Sequence, residues 1–506
     1  MENILLGLEQ LANPAVILAL LGGTLLGLTV GAIRGLNDTI TMAVLIPITF
    51  GMDKYVAMAI LVGIYVASAC GGSIPAILFD IPGTASAMVT SNDGYPMRLK
   101  GRGKEALSIA MMSSCFGGLS SSVVLLICGP LLAGFALKFG SPEYCMVAIL
   151  GFATVIGMSS KNIALSFLSI GFGLWISCIG ISPTIGLSRY TFGSATLMDG
   201  VSLIPSMIGL FGLCSVLKEF DKIGHQKSQE EIMAEKEVQK TSANDRIGFL
   251  SKKMCKRLLP TWLKSSAIGN VLGIIPGCGM VMAVFMAYDT EKKSKPELPF
   301  GTGVEEGVAA PEAANNAVVA SSMVPLLSLG VPGNGTSSLF LGALMIQGLR
   351  TGPGLFTDYP EVAYMIILAF LVANIAMIPL SLTFCKYCAS AVLKINPQIL
   401  NAAIVVLCVT GAFASSNNSF HIGMMIVFGV IGYIYHKFGM SQSPLMLSYV
   451  LGSMMETNYI NAMVVGKGSC LVFLTRPISL VLVCLSVLFL FMPVYQKLKQ
   501  ARAAAH

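Results

Sequence analysis

The chain has 506 residues, of which 55% are hydrophobic and 11% charged, with a mean hydropathy of +0.77 and a formal net charge of +7. That balance leaves no soluble domain of useful size, gives no footing for nucleic acid, and defines an all-α polytopic membrane protein. At roughly 20 residues per spanning helix, the length allows about ten to twelve membrane segments.

The N-terminus carries Glu2 and Glu9 and no basic residue before Arg34, so it lacks the charged start of a cleaved secretory signal. The first apolar segment is expected to stay in the mature protein. In chain order, apolar segments fall near 15–33, 40–50, 55–70, 106–128, 130–139, 144–158, 162–180 and 198–217. After Lys218–Lys264, the long hydrophilic stretch, they resume near 266–287, 307–329, 336–348, 361–395, 399–414, 420–437, 444–455 and 478–496. The Ala/Glu/Lys-rich run Gln229–Glu237 within that stretch reads as a linker helix. The expected division is a first transmembrane repeat over 1–217, a cytoplasmic linker over 218–265 and a second repeat over 266–506.

Two apolar passages are punctuated alike. Gly71-Gly72-Ser73-Ile74-Pro75 runs to Ile81-Pro82-Gly83-Thr84, and Met323-Val324-Pro325 runs to Val331-Pro332-Gly333-Asn334. Gly27-x-x-x-Gly31-x-Ile33 likewise resembles Gly269-x-x-x-Gly273-x-Ile275, and Ser159–Asn162 resembles Ser415–Asn418. Three matches in one order indicate an internal repeat. Charge gives the repeats opposite orientation. The loop Arg98–Lys104 holds four basic residues, whereas its counterpart Leu349–Gly354 holds one, so the first is expected inside and the second outside. The linker, with eleven Lys/Arg between 218 and 264, and the C-terminal tail are expected inside too. Glu291–Lys295 resists this scheme if 266–287 crosses once, and fits it if the chain turns back at Pro276-Gly277-Cys278-Gly279.

Pro-Gly breaks in lipid survive only where the irregular backbone is buried in protein or lines a watered cavity. A broken helix presents free N–H groups that suit a carboxylate at its start and free carbonyls that suit a cation at its end. The substrate candidates are therefore Ser73, Pro82, Gly83, Thr84 and Ser86 at the first break, with Pro332, Gly333, Asn334 and Thr336 at the second. Asn315 and Asn316 join them as amides at membrane depth. Arg34 either meets a substrate carboxylate or pairs with Asp38 at i+4. For the coupling ion, Na⁺ or H⁺, the candidates are Asp80, Glu312 and Gly277. Asp80 reads otherwise as an N-cap, and Pro311-Glu312 as the first turn of a helix. Asp38, Asp93 and Asp199 read as helix caps, and Glu143 and Glu456 as interface residues.

The four histidines show no metal spacing, Cys385-Lys386-Tyr387-Cys388 is a lone C-x-x-C, and the other cysteines are scattered in apolar segments. No cofactor is expected. There is no Walker motif, which argues against ATP as the direct driver, and no H-E-x-x-H or paired acids of an intramembrane enzyme.

Several blocks resemble those of the large membrane subunit of tripartite tricarboxylate transporters, the TctA family. They include Gly71–Leu78, Ile81–Thr84, Asp93-Gly94-Tyr95-Pro96, Thr191-Phe192-Gly193, Ile275-Pro276-Gly277, Ala310–Ala317, Leu329–Gly333 and Thr475-Arg476-Pro477-Ile478. The resemblance implies an inner-membrane symporter for a di- or tricarboxylate such as a citrate-like anion. It also implies a small membrane subunit and an extracytoplasmic solute-binding protein as partners. The chain departs from that pattern at Ile33-Arg34-Gly35-Leu36-Asn37, where the family usually reads Ile-Pro-Gly-Leu-Gly, and at Asp80, commonly Asn. The alternative is a permease for another organic anion that needs no binding protein.

Overall fold

The computed structural model describes residues 2–33, 36–158, 163–223, 247–387 and 397–504. Arg34, the 159–162 member of one repeat match, the Gln229–Glu237 run and Cys388 lie outside the described residues. The first half comprises α1 (Glu2–Leu11), α2 (Pro14–Gly31), α3 (Asp38–Leu45), α4 (Lys54–Gly71), α5 (Ser73–Phe79), α6 (Ala87–Leu99), α7 (Gly103–Ala136), α8 (Ser141–Met158) and α9 (Ile163–Ser177). A small antiparallel pair, β1 (Gly180–Ile181) and β2 (Ser188–Arg189), precedes α10 (Leu203–Met207) and α11 (Cys214–Ile223).

The second half has α12 (Lys252–Ile274), α13 (Gly279–Ser294), α14 (Glu305–Ser321), α15 (Met323–Leu329), α16 (Gly335–Ile346), α17 (Pro353–Asp358) and α18 (Pro360–Tyr387). It ends with α19 (Pro397–Ala414), α20 (Phe420–Lys437), α21 (Gln442–Val465), α22 (Val472–Thr475) and α23 (Pro477–Ala504). Among the described residues, five stretches are long and apolar enough to span a membrane: α2, the α4–α5 run, α7, α18 and α20. The α4–α5 run is the innermost, with 94% of its most apolar window enclosed.

Three boundaries differ from the sequence expectation. The segments expected at 106–128 and 130–139 merge into one helix, α7, that carries Pro130 inside it and ends at Ala136. The helix expected from 266 starts at Lys252, where the Ser251 side chain accepts the Met254 N–H as its N-cap. Pro311 and Glu312 do not open a helix: α14 begins at Glu305, with two acids in its first turn, and Pro311 lies within it. The 266–287 segment is interrupted, α12 ending at Ile274 and α13 starting at Gly279, with Gly277 between them at φ +85°. The second helix runs back along the first, Lys264 Nζ lying 2.9 Å from Glu291 Oε2, so the pair is a hairpin that brings Glu291–Lys295 back beside Thr261 and Lys264 in the middle of α12.

Both Pro-Gly passages share one backbone path. Each short helix ends in a left-handed residue, Asp80 (φ 55°) after α5 and Gly330 (φ 76°) after α15. The chain then returns to the point where the helix was interrupted. Gly83 N donates to Gly72 O (3.1 Å), and a Cβ on Gly83 would stand 3.0 Å from Gly31 O. A Cβ on Gly333 would stand 2.9 Å from Ser322 Cβ and 3.2 Å from Gly273 O. The glycine rows noted in the sequence make the matching helix contacts. Gly27 and Gly31 of α2 press on Ile64 and Ser68 of α4, and Gly269 and Gly273 of α12 press on Ala314, Val318 and Ser321 of α14.

Candidate functional site

A cavity of about 210 Å³ opens between the two breaks. It lies where three apolar clusters abut. Met280 belongs to the main core, Leu447 to the cluster of α8, α9 and α21, and Leu36 and Ile40 of the third cluster flank the lining residues Asn37, Asp38 and Thr39.

Four helices begin at this cavity. Asn37, Asp38 and Thr39 open α3, Ala85 and Ser86 lead into α6, Gly279–Val281 open α13, and Asn334–Thr336 open α16. Each start leaves backbone N–H groups without intrahelical partners and a partial positive charge. Local chemistry fixes two of these starts. Asn37 Oδ1 accepts the Ile40 N–H at 2.7 Å. Asn334 and Ser337 form a reciprocal capping box, with Ser337 N to Asn334 Oδ1 and Asn334 N to Ser337 Oγ both at 2.8 Å. No lysine or arginine is among the described lining residues.

The halves are stitched together beside the cavity. Asn334 Nδ2 donates to the Tyr65 hydroxyl of α4 (2.9 Å), which also meets Ser322 Oγ (3.0 Å). Thr336 Oγ1 donates to Asp38 Oδ2 (2.5 Å) and lies 2.9 Å from Thr39 Oγ1. Gly277 N donates to Gly333 O (2.8 Å), which ties the α12–α13 turn to the second return segment.

Of the candidates from sequence, Ser86, Gly277, Pro332, Gly333, Asn334 and Thr336 line the cavity. The other described candidates stand elsewhere. Ser73 Oγ donates to Cys70 O (2.7 Å) within its own helix run, and Gly83 is spent on helix packing. Thr84 packs on Gly72, shares a hydroxyl contact with Ser86 (3.0 Å) and accepts the Ala87 N–H (3.2 Å), while Pro82 is half-buried beside it. Asn315 and Asn316 donate to Ala69 O (2.9 Å) and Val66 O (3.4 Å) of α4, and their buried Oδ1 atoms have no partner among the described residues.

Asp80 is exposed in its left-handed C-cap position, not at an N-cap. Glu312 is sealed, its two oxygens taken by Thr90 Oγ1 and Ser114 Oγ at 2.6 Å each. Sequence reasoning missed Asn37, Asp38, Thr39, Gly279 and Ser443 as lining residues. For Asn37, Asp38 and Thr39 the local signal was a cap pattern that many ordinary helix starts share, and Gly279 stood in the Pro276–Gly279 turn without being singled out.

Distant from the cavity, charges gather at one end. Arg102 pairs with Glu105 and Glu305, Arg257 with Glu305 and Glu306, and Lys295 with Glu291 and Glu306. Asp93 lies inside α6 and does act as a cap, but for a distant element: its Oδ1 accepts the N–H groups of Gly301, Gly303 and Val304, each at 2.9 Å, just before α14. Glu143 pairs with Arg476 (2.6 Å) and Glu456 with Arg189 (2.7 Å).

A multi-pass helical membrane protein whose interrupted helices turn their N-termini onto one polar cavity has the architecture of a membrane transport protein. The family comparison agrees: the chain belongs to the tripartite tricarboxylate transporter TctA family, whose model matches residues 17–447. It is 34% identical over 479 residues, 94% of this chain and 93% of the relative, to a 52.8 kDa protein of the TAR-I ttuC' 3' region of Agrobacterium vitis. It is also 35% identical over 235 residues, 46% of this chain, to a protein of the TAR-II ttuC' 3' region of the same organism, 97% of which is covered. No solved structure matches the chain.

Proposed function

We propose that this chain is a cation-coupled symporter for a di- or tricarboxylate and that the cavity between the breaks is its substrate site. The observation that carries the reading is the convergence of four helix starts on one cavity whose described lining holds no basic side chain. Backbone N–H groups and hydroxyls grip carboxylate oxygens without the cost of burying a lysine or arginine in the membrane. Ser86, Asn334 and Ser443 bring side-chain donors to them, while the Thr336 and Ser338 hydroxyls are held by Asp38 Oδ2 and Asn334 O.

In this reading the two halves, 1–217 and 266–506, are inverted repeats joined by a cytoplasmic linker over 218–265. Two findings support that. The Pro-Gly breaks follow the same backbone path in both halves, and the basic loop Arg98–Lys104 shares one charged end with Arg257, Lys264 and Lys295. By the positive-inside rule this end faces the cytoplasm, and the α12–α13 hairpin, re-entrant in this view, returns Glu291–Lys295 to it. Family membership supports an inner-membrane location, a small membrane subunit and an extracytoplasmic binding protein that delivers substrate.

The test is uptake of labelled citrate, succinate and related carboxylates into proteoliposomes under imposed Na⁺ or H⁺ gradients, with and without the partner subunits. Saturable accumulation that collapses with the gradient is the expected result. Uptake that never exceeds equilibrium under any gradient would remove symport.

A further inference from the structure

We propose that Asp38 holds the coupling cation, a monovalent ion bound among the Asp38 carboxylate and the Thr39 and Thr336 hydroxyls. The inference rests on the transport reading and adds to it the residue at which charge is balanced. Asp38 is the acidic side chain among the described residues of the cavity lining, in a space of about 210 Å³ that has no described lysine or arginine to offset it. A carboxylate substrate entering there meets a second negative charge at short range in a poorly screened site, and the two repel. A cation taken up with the substrate removes that repulsion. Binding of the two then becomes mutually dependent, which is what symport requires.

The geometry supplies the ligands. Asp38 Oδ2, Thr336 Oγ1 and Thr39 Oγ1 form a chain of oxygens with separations of 2.5 and 2.9 Å. Hard oxygen donors of this kind suit Na⁺. A proton would sit on Asp38 itself and be shared with the same hydroxyls. Tyr65 of α4 is a titratable side chain that feels the Asp38 charge, and it stays tied to Asn334 and Ser322. The cluster joins α3 of the first half to α16 of the second, so movement of one half against the other would alter it. Neither other acid considered for this role is so placed: Asp80 is exposed outside the cavity, and Glu312 has both oxygens occupied and does not line it.

The experiment uses the full chain, with its partner subunits where uptake needs them, as wild type, Asp38→Asn and Asp38→Glu. [¹⁴C]citrate and [¹⁴C]succinate binding and uptake are measured while Na⁺ is replaced by choline at fixed pH, and separately while pH is varied at fixed Na⁺. ²²Na⁺ binding is measured on the purified protein. In the wild type, one ion is expected to change carboxylate affinity by about tenfold or more, and the responding arm names it. Asp38→Asn is expected to lose gradient-driven accumulation and to bind substrate with an affinity indifferent to that ion; Asp38→Glu restores part of the dependence.

Unchanged ion dependence in Asp38→Asn overturns the inference, as does its disappearance in Glu312→Gln instead. Restoration of coupling in Asp38→Asn by Arg34→Gln also overturns it, because Asp38 would then serve as a counter-ion to Arg34. If the wild type binds neither carboxylate, the substrate reading fails by itself. Wild-type ²²Na⁺ binding, or in its absence a pH-dependent carboxyl infrared band, that Asp38→Asn loses then still upholds the cation site, and a signal that survives the substitution, or the absence of both from the wild type, overturns it. Monodisperse elution and wild-type thermal stability of Asp38→Asn separate these results from misfolding.

Discussion

The two Pro-Gly breaks follow the same path and carry different chemistry. At the first, the return segment closes on its own helix: Gly83 bonds back to Gly72, and Thr84 packs on Gly72 and caps the next helix. At the second, the return segment reaches outward, Gly333 O to the α12–α13 turn, Asn334 to Tyr65, and Thr336 to Asp38. The second break gives six residues to the cavity lining, the first only Ala85 and Ser86. A repeated backbone device therefore does not entail a repeated site. One copy holds the fold together while the other presents donors.

Substitutions at paired positions test this contrast, and the largest effect is expected at the glycines. Gly333→Ala and Gly83→Ala each push a methyl to about 2.9 Å from a neighbouring carbon and should lose about 1–3 kcal/mol of stability. Gly333→Ala should also abolish uptake, because it shifts the strand that accepts the Gly277 N–H at the cavity wall. Thermal melting and uptake per folded molecule separate the two effects, and equal loss of specific uptake at both sites would break the comparison.

Next in size is Asn334→Ala, which removes a capping box, about 1 kcal/mol, and the bond to Tyr65. It should raise the half-saturation concentration by about tenfold or more while the protein still inserts. Thr84→Ala, which loses only a local cap at the first break, should change it by about threefold at most. Comparable values for the two variants, measured in the same liposomes, would argue for a site shared evenly between the breaks.

A smaller effect, of opposite sign, is expected at the left-handed residues. Asp80→Gly puts at the first break the residue type the second already has in Gly330, and relief of left-handed strain should raise stability by under about 1 kcal/mol. Gly330→Asp should lower it. A melting temperature that falls in Asp80→Gly would show that the aspartate makes a contact beyond its backbone role.

The smallest effect belongs to the charged end, away from both breaks. Burial alone would raise the Glu305 carboxyl, but its hydrogen bond to Arg102, with the charge of Arg257 beside it, outweighs burial and holds it below the usual carboxylate range. Its folded value is thus depressed. The stabilisation is complete above the unfolded value, near 4.3, and is lost as pH falls through the folded one. Arg102 and Arg257 are more than a third exposed, so the loss should be modest and should shrink with added salt. Melting of wild type and Glu305→Gln across that acid range checks it: the difference between them should narrow as pH drops.

Much of the architecture was legible because proline and glycine act through the backbone. A residue that cannot donate, next to one that tolerates close approach, marks a break wherever it falls. The same logic misled at Pro130 and Pro311, where the helix runs on through the proline. At Pro311 the true start is set by two acids and by Asp93, which caps from another helix. A third of the cavity lining was legible too, in Ser86, Gly277, Pro332, Gly333, Asn334 and Thr336, since these lie at or beside the breaks themselves.

The sequence alone determined membrane residence, the two interrupted passages and the family, because composition, backbone restriction and ordered blocks are properties of neighbours along the chain. Only the tertiary structure decided which side chains face one another. Asp38 looked like an ordinary helix cap until α16 placed Thr336 against it, and Glu312 looked like a helix start until Thr90 and Ser114 closed around it. Those contacts join residues about two hundred or more positions apart, and hydrogen bonds at that separation leave no local pattern to read.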